Sequence, residues 1–446
     1  MKDKYDVIII GGSAAGVSAA VTTRRYYPDK SILVIRKDQK VPIPCGIPYI
    51  FGTIHDVNKN IIPDEVLEKN KIDLIVSEIK HVDKDKKTVS IDNRTIYYDK
   101  MILATGSNPM IPCIDGIDLK NIFVVNKDIV YLDNALKQVD GSKDIVIIGG
   151  GFIGVEFAEE CKKGRNVNVT LVELMPKCLV SAFDDEFCDE AGRLLSEQGI
   201  VLKFGNKVKA CLGDEVVKEV ELDNGEKIKA DTVILGIGSV PNVELAKSIG
   251  LDLGKFGGIN VDANMRTSSH DIFACGDCID ARSFFSYLPC KVKLASTATM
   301  QARIAGANLF NIKRFDRGVI GVFSTALNNN AFACAGLTER EATKEGYKIV
   351  IGVAEGPNRH PAGMPGMQNM KVKLIFNRHD KAIIGGQIFG AYNAGEMINA
   401  ISSFILSKFT ADDIAMFQLG THPALTASPI AYHLVNAAEI ANMKMQ

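Results

Sequence analysis

The sequence predicts an α/β chain: two doubly wound dinucleotide-binding units, followed by an α+β region at the C-terminal end. Three observations carry this. Residues 6–16, DVIIIGGSAAG, and residues 144–154, DIVIIGGGFIG, each run an apolar strand into a glycine turn and then a helix, the opening of a dinucleotide-binding βαβ unit. Each opening has a distal counterpart, DKMILATGSNP (99–109) and ADTVILGIGSVPN (230–242), again an apolar strand running into a glycine-containing loop. From about residue 326 onward, stretches such as KVKLIFNRHDKAIIGGQIFG alternate as an antiparallel sheet does, and two helical stretches follow. One glycine motif is weak evidence, whereas two in matching context imply two nucleotide sites.

Composition narrows the class. The 446 residues are 46% hydrophobic and 24% charged, as in an ordinary globular protein with a substantial core. Lys plus Arg (52) nearly balance Asp plus Glu (53), so no basic face for nucleic acid is implied. No apolar run reaches the roughly 18 residues of a membrane span, and the first strand begins by Tyr5, leaving no space for a signal peptide. The ten cysteines are scattered rather than framed for disulfides, which suits a reducing compartment, and the expected location is cytoplasmic.

In chain order, the first loop has Gly11 and Gly16 but Ser13 at the middle position, small enough to let a pyrophosphate approach, with Gly12, Ala14 and Ala15 completing it. The next strand, Ile32 to Ile35, ends at Arg36 where an acid is expected; adenosine contact and a solvated strand-end cation are equal readings. Then comes VPIPCGIPY (41–49), one cysteine among prolines. A thiol at or just before a helix start is favoured as thiolate by unpaired N–H groups and the helix dipole, which makes Cys45 the candidate redox centre. The bland alternative is a small buried hydrophobe.

The second loop satisfies the fingerprint fully with Gly149, Gly151 and Gly154, and Phe152 and Ile153 lie within it. Its following strand ends at Glu173, placed to accept from a ribose 2′-OH and to repel a 2′-phosphate, which points to NADH over NADPH. Gly238, in the distal counterpart, belongs to the same expected site. TSSHDIFACGDCIDA (267–281) then places Gly276-Asp277 after a short strand, ahead of a small-residue helix from Leu294 to Leu309.

Taken together, the first GxSxxG, Ala104-Thr105-Gly106, Gly276-Asp277 and the second GxGxxG occur in the order found in FAD-dependent flavoproteins of the pyridine nucleotide-disulfide oxidoreductase superfamily, which the chain resembles over essentially its whole length. The resemblance implies an FAD domain at 1–115 and 255–325, an NAD(H) domain at 116–254 and a C-terminal α+β dimerisation domain at 326–446. It implies that Asp277 binds the FAD ribitol and that the helix start near Ser296 to Thr299, Thr297 and Ala298 included, faces the flavin pyrimidine end. It makes Phe152 an aromatic lid, Glu156 the group that positions the nicotinamide amide, and the product a homodimer.

The cysteine narrows the resemblance. Dithiol members carry a second cysteine five residues on, whereas here Ile50 stands there; the arrangement is similar to the single-cysteine branch of coenzyme A-disulfide reductases, NADH polysulfide or persulfide reductases, NADH oxidases and NADH peroxidases. Peroxidases and many water-forming oxidases have a histidine in the first glycine loop, replaced here by Ser13-Ala14-Ala15. Arg25 matches an arginine that helps hold the coenzyme in the coenzyme A-disulfide branch, while Pro42, Ile43 and Pro44 replace its usual polar residues. GTHPALTASP (420–429) resembles the family's stretch that reaches the partner subunit's flavin and thiol, which makes His422 the candidate acid/base, although Ala427 stands where dithiol reductases have its glutamate. The other six histidines show no metal-ligand spacing, and no metal is expected.

The expected function is therefore NADH-dependent, FAD-mediated reduction of a disulfide, persulfide or polysulfide through Cys45. An NADH oxidase using oxygen is the nearer alternative; an electron-transfer reductase or NADH-binding sensor is the distant one. Cys275 and Cys278 have CxxC spacing but lie in the flavin motif, so packing is expected. Packing is likewise expected of Tyr432, and Met364, Met367 and Met370 either line an entrance or fill an interface.

Overall fold

The run Val7 to Ile10 offers no polar alternation, so its strand must be covered on both faces. In the computed structural model, which describes residues 2–92, 94–361 and 363–446, the strand Lys4–Ile10 lies between Ile32–Arg36 and Arg94–Leu103, parallel to both. Asp73–Val76 extends one side in parallel, and Ile272–Ala274 pairs with the end of Arg94–Leu103, also in parallel. The N-terminal half of that ten-residue strand turns instead to an antiparallel ribbon, Thr88–Ile91 and Ile79–Asp83. The helices Ala14–Tyr26 and Ala295–Asn308 pack together over this sheet, through small residues such as Ala19, Gly306 and Ala302. These elements form one compact unit: the chain up to Cys113, with Phe123–Gly141 and Ile237–Val319.

The second compact unit comprises Ile114–Ile122, Ser142–Gly236 and Ile320–Gln446. It repeats the first motif: Asp144–Ile148 sits between Asn168–Glu173 and Thr232–Leu235, Ile200–Phe204 lies outermost, and all four strands are parallel. The helix Phe152–Lys162 covers this sheet. Its other half is a five-stranded antiparallel sheet in the order Val322–Leu327, Asn330–Gly336, Ile383–Gly390, Asn369–Asn377, Ile349–Pro357. The helices Ala394–Ser407 and His433–Lys444 pack against it. Its first strand straddles the boundary expected at 325/326.

One buried cation ties this half to the nucleotide half of the same unit. Lys373, on Asn369–Asn377, is closed in by the carboxylates of Asp184 (2.9 Å), Glu186 (2.6 Å) and Glu339. Asp184 stands at the N-cap position of the helix Asp185–Glu197, and its carboxylate accepts from Gln387 Nε2 and from the Glu339 N–H. Three carboxylates around one ammonium hold it charged despite burial, raising its pKa. Among the described residues, no helix is long and apolar enough to cross a membrane.

Candidate active site

The two glycine loops are built alike, and in each the outer glycines are dictated by contact. A Cβ on Gly16 would lie 1.9 Å from the Gly11 carbonyl oxygen, and one on Gly154 would lie 1.7 Å from that of Gly149. Gly11 (φ 117°) and Gly149 (φ 108°) occupy backbone conformations that other residues avoid, and a Cβ on Gly11 would strike the Ala104 carbonyl. At the middle positions the requirement differs. Gly151 has open space around its Cα, and Ser13 caps the helix Ala14–Tyr26 without a side-chain hydrogen bond of its own. Neither helix has an acidic residue in its first turn, so neither offsets its own positive end, which favours an anion there.

Around the first loop, separately predicted stretches converge. A Cβ on Gly276 would stand 3.0 Å from Ala15 Cβ and 3.4 Å from Ala298 Cβ, so the glycine loop, the Gly276-Asp277 turn and the start of Ala295–Asn308, with Thr297 and Ala298 in its first turn, meet at one place. The Gly276 N–H donates to buried Gln301 Oε1, and Ser107 Oγ donates to the Asp277 carboxylate at 3.0 Å. The Ala104-Thr105-Gly106 turn is held from behind: Thr105 Oγ1 donates to the Asn242 carbonyl and the Asn242 N–H to the Gly106 carbonyl.

Arg36 requires correction. It is 5% exposed, not a solvated strand-end cation, and its guanidinium grips Asp64 in a fork (2.5 and 2.7 Å) while donating to the Asp38 and Gln39 carbonyls. The donors expected for an adenosine are thus used within the chain. What Arg36 offers the loop is its aliphatic stem, which packs on Gly12 so closely that a Cβ there would lie 2.6 Å from Arg36 Cδ.

Cys45 is exposed and outside any disulfide, which removes the reading as a buried hydrophobe. It is the middle residue of the single turn Pro44–Gly46, which continues into Ile47–Tyr49 and the wide turn Ile50–Ile54, so the thiol stands on the first turn of a short helical stretch. Ile50, at the dithiol position, is fully buried. A groove of about 320 Å³ runs on the helix Ala14–Tyr26, lined by Ala14, Val17, Ser18, Arg25, Ile62 and Arg303 among others, and Ile62 is joined to the cysteine stretch through its N–H on the Val41 carbonyl. Arg24 points elsewhere, donating to four backbone carbonyls, so Arg25 is the member of the pair that faces the groove. Arg303 was not anticipated. Its signal was present all the same: it is the one charged residue in the helix Ala295–Asn308.

In the second unit, Glu173 accepts from the Gly150 N–H with one carboxylate oxygen and from the Met175 N–H (2.7 Å) with the other. Phe152 opens the helix, followed by Ile153, and stacks flat on Phe323 with ring centroids 5.2 Å apart. One turn on, Glu156 accepts from Thr325 Oγ1 at 2.8 Å, and burial pushes its carboxyl up to about 7. Glu159 likewise accepts from the Asn328 N–H, and burial raises its pKa. Gly236 closes the strand Thr232–Leu235 against Gly154; a Cβ there would come 3.1 Å from the Gly154 Cα. Gly238 lies two residues on in the first unit, with φ 99° and its carbonyl accepting from the Met110 N–H.

His422 is exposed at the head of its loop. Its Nδ1 accepts from the Ala424 N–H (3.2 Å), which turns Nε2 outward and supplies some of the orientation a glutamate would give; Ala427 is buried. His360 packs against this loop, Nδ1 at 3.1 Å from the Thr426 carbonyl. Cys275 and Cys278 are fully buried thiols, and burial raises both pKa values, as packing residues should show. Tyr432 stacks edge-on with Phe417, and Met370 is buried in its strand, not at an entrance.

Residues 5–302 match the pyridine nucleotide-disulphide oxidoreductase family, and residues 322–430 match the dimerisation domain of that name. A Methanocaldococcus jannaschii protein named NADH oxidase is 32% identical over 436 residues, with 94% of this chain and 95% of that one covered. A Pyrococcus abyssi protein named NAD(P)H sulfur oxidoreductase (CoA-dependent) is 31% identical over 431 residues, covering 95% of each. The structure of an NAD-dependent persulfide reductase from A. fulgidus superposes with a TM-score of 0.91 at 28% identity, over 98% of this chain and 83% of that one. The glycine cradles, the turn at Gly276-Asp277 and the five-stranded C-terminal sheet are thus this chain's version of a shared plan, and it belongs to the pyridine nucleotide-disulphide oxidoreductase family.

Proposed function

We propose that this chain is an FAD-containing, NADH-dependent reductase that delivers electrons through Cys45 to a disulfide, persulfide or polysulfide, with a coenzyme A-type thiol held in the adjoining groove. One observation carries the reading: the exposed Cys45 thiol on the first turn of a helical stretch, in the same unit as a groove that presents Arg25 and Arg303. Two cations along a groove floored by small residues suit the phosphates of such a coenzyme.

The first unit fits FAD, because Gly11, Gly16 and Gly276 leave room where a Cβ would collide with backbone or crowd a neighbour, and a positive helix end stands free of acidic residues. Gly11 to Gly16, Ala104 to Gly106, Asp277, Thr297 and Ala298 would hold it. When bound, FAD supplies two-electron transfer between nicotinamide and sulfur. In the second unit, Gly149 to Gly154 would cradle the NADH pyrophosphate and Glu173 its ribose, disfavouring a 2′-phosphate. Phe152 would cover the nicotinamide pocket until NADH arrives, and Glu156 would orient the amide.

Cys45 does the sulfur chemistry. Its thiolate attacks the outer sulfur of a persulfide and releases a thiol, or attacks a disulfide and forms a mixed disulfide. Two electrons originating in NADH, with one proton, then break the new sulfur–sulfur bond and restore the thiolate, releasing hydrogen sulfide in the first case and the second thiol in the other. Arg25 and Arg303 fix the leaving thiol by its anionic tail, and His422 of the partner subunit gives the departing sulfur a proton. The division into an FAD domain (1–115, 255–325), an NAD(H) domain (116–254) and a dimerisation domain (326–446) belongs to this proposal, as do a homodimeric state and a cytoplasmic, reducing location.

Cys45→Ser tests the assignment. Flavin reduction by NADH should proceed at its normal rate while turnover with sulfur acceptors falls to background, and retained sulfur turnover would remove Cys45 from the mechanism. The second reading, NADH oxidation by oxygen, is favoured by the 32% identical relative of that name. Against its water-forming version stands the absence of a histidine from Ser13-Ala14-Ala15.

A further inference from the structure

We propose that Asn60 is a positioning residue for the redox thiol: it grips the backbone on both sides of Cys45 and so fixes the direction in which Sγ points. This rests on the reading of Cys45 given above. The turn Pro44–Gly46 has no side-chain cap, and proline at 42 and 44 removes two of the N–H groups that could have anchored it. The anchoring comes from the segment beyond Ile54. Asn60 is 3% exposed; its Nδ2 donates to the Ile43 carbonyl at 2.9 Å, and its own carbonyl accepts from the Ile43 N–H at 2.9 Å.

The same amide reaches past the cysteine. A Cβ on Gly46 would lie 2.0 Å from Asn60 Oδ1, so the side chain lies directly against the residue that follows Cys45. One buried amide thus bonds to residue 43 and packs against residue 46, whose N–H donates to the Ile43 carbonyl, and the pairing of Pro42 with Ile61 and of the Ile62 N–H with the Val41 carbonyl extends the clasp. Attack on a sulfur–sulfur bond needs the nucleophile in line with the bond it breaks, so a thiol on a loose turn would lose most of its productive encounters. Asparagine is required here because the contact with Ile43 needs a donor, which aspartate lacks, and leucine fills the volume while leaving that carbonyl without its side-chain partner.

The test uses flavin-loaded Asn60→Leu, Asn60→Ala and Asn60→Asp enzymes. The pH profile of Cys45 alkylation by iodoacetamide is followed by mass spectrometry of the modified peptide, alongside steady-state turnover and rapid flavin reduction by NADH. The expected result is a displaced alkylation profile and a kcat with polysulfide lowered roughly tenfold, with flavin reduction and KM for NADH unchanged. Alkylation profiles and kcat within twofold of wild type would overturn the proposal, as would a loss of melting temperature with an unaltered thiol profile. Asn60→Asp keeps shape and volume, so it stays informative if the other variants fail to fold. Should Cys45→Ser retain sulfur turnover, the mechanism fails, yet the alkylation profile still decides whether Asn60 holds the turn.

Discussion

Glu156 sits where burial and charge oppose each other. Its carboxyl, drawn into the unit and bonded to Thr325, is raised to about 7, so the folded protein holds a proton there that the unfolded chain has lost by pH 5 to 6. Native protein therefore binds more protons than unfolded protein between roughly pH 4.5 and 7, and this group's contribution to stability falls as pH rises through that window. Glu156→Gln keeps an acceptor for Thr325 and removes the titration. Relative to wild type, the variant should gain on the order of 2–3 kcal/mol between pH 5 and pH 8 in chemical unfolding, and a difference that stays flat with pH would contradict the assignment. Such a group was beyond the sequence, which shows a glutamate four residues into a helix but not Thr325, 169 residues away. The same limit applies to Arg36 and Asp64 and to Asn60 and Gly46: the glycine, serine and cysteine that carry the chemistry announce themselves by spacing, whereas their supports are fixed by chain crossings that spacing does not encode.

The glycine loops separate two kinds of glycine within one element. Gly154 is required by the fold, because its Cα abuts the Gly149 carbonyl, while Gly151 has space around it. Gly154→Ala should lower stability by about 2 kcal/mol or more through overpacking, while Gly151→Ala should change it by less than about 1 kcal/mol and raise KM for NADH. Equal losses of stability in thermal melts of the two variants would refute the distinction. This element was the most legible part of the chain, since strand, turn and helix are dictated by adjacent residues. The Lys373 cluster was the least, because its four charges come from three distant segments. Lys373→Met should cost on the order of 3–5 kcal/mol, leaving three buried or half-buried carboxylates without their cation. Against the opposing effect of burial, Lys373 holds Glu186 below its usual value, and without that pull Glu186 would take up a proton more readily, so the deficit should shrink as pH is lowered from 8 to 5; a deficit that grows on acidification would show that the cluster is not held by this charge balance.

At the scale of the molecule, the sequence repeat maps onto two sheets with parallel cores of the same design, the first extended by an antiparallel ribbon, and the alternating C-terminal stretch onto one antiparallel sheet. The compact units do not follow that repeat: the nucleotide-binding half around Gly149 and the C-terminal sheet fall in one unit, held by Lys373, Thr325 and the Phe152–Phe323 stack. Motifs reveal which ligands a chain was built around; they do not reveal which halves share a core. The match to a dimerisation domain predicts a particle of twice the chain mass in light scattering, and a monomer at micromolar concentration that still turns over would contradict it. The most direct test of the whole account is NADH consumption by the purified, FAD-loaded enzyme under argon with polysulfide or coenzyme A disulfide, set against consumption in air with no added acceptor. Faster anaerobic turnover, abolished in Cys45→Ser, is the result predicted here; turnover only in air, undiminished by that substitution, would contradict it and make this chain an oxidase.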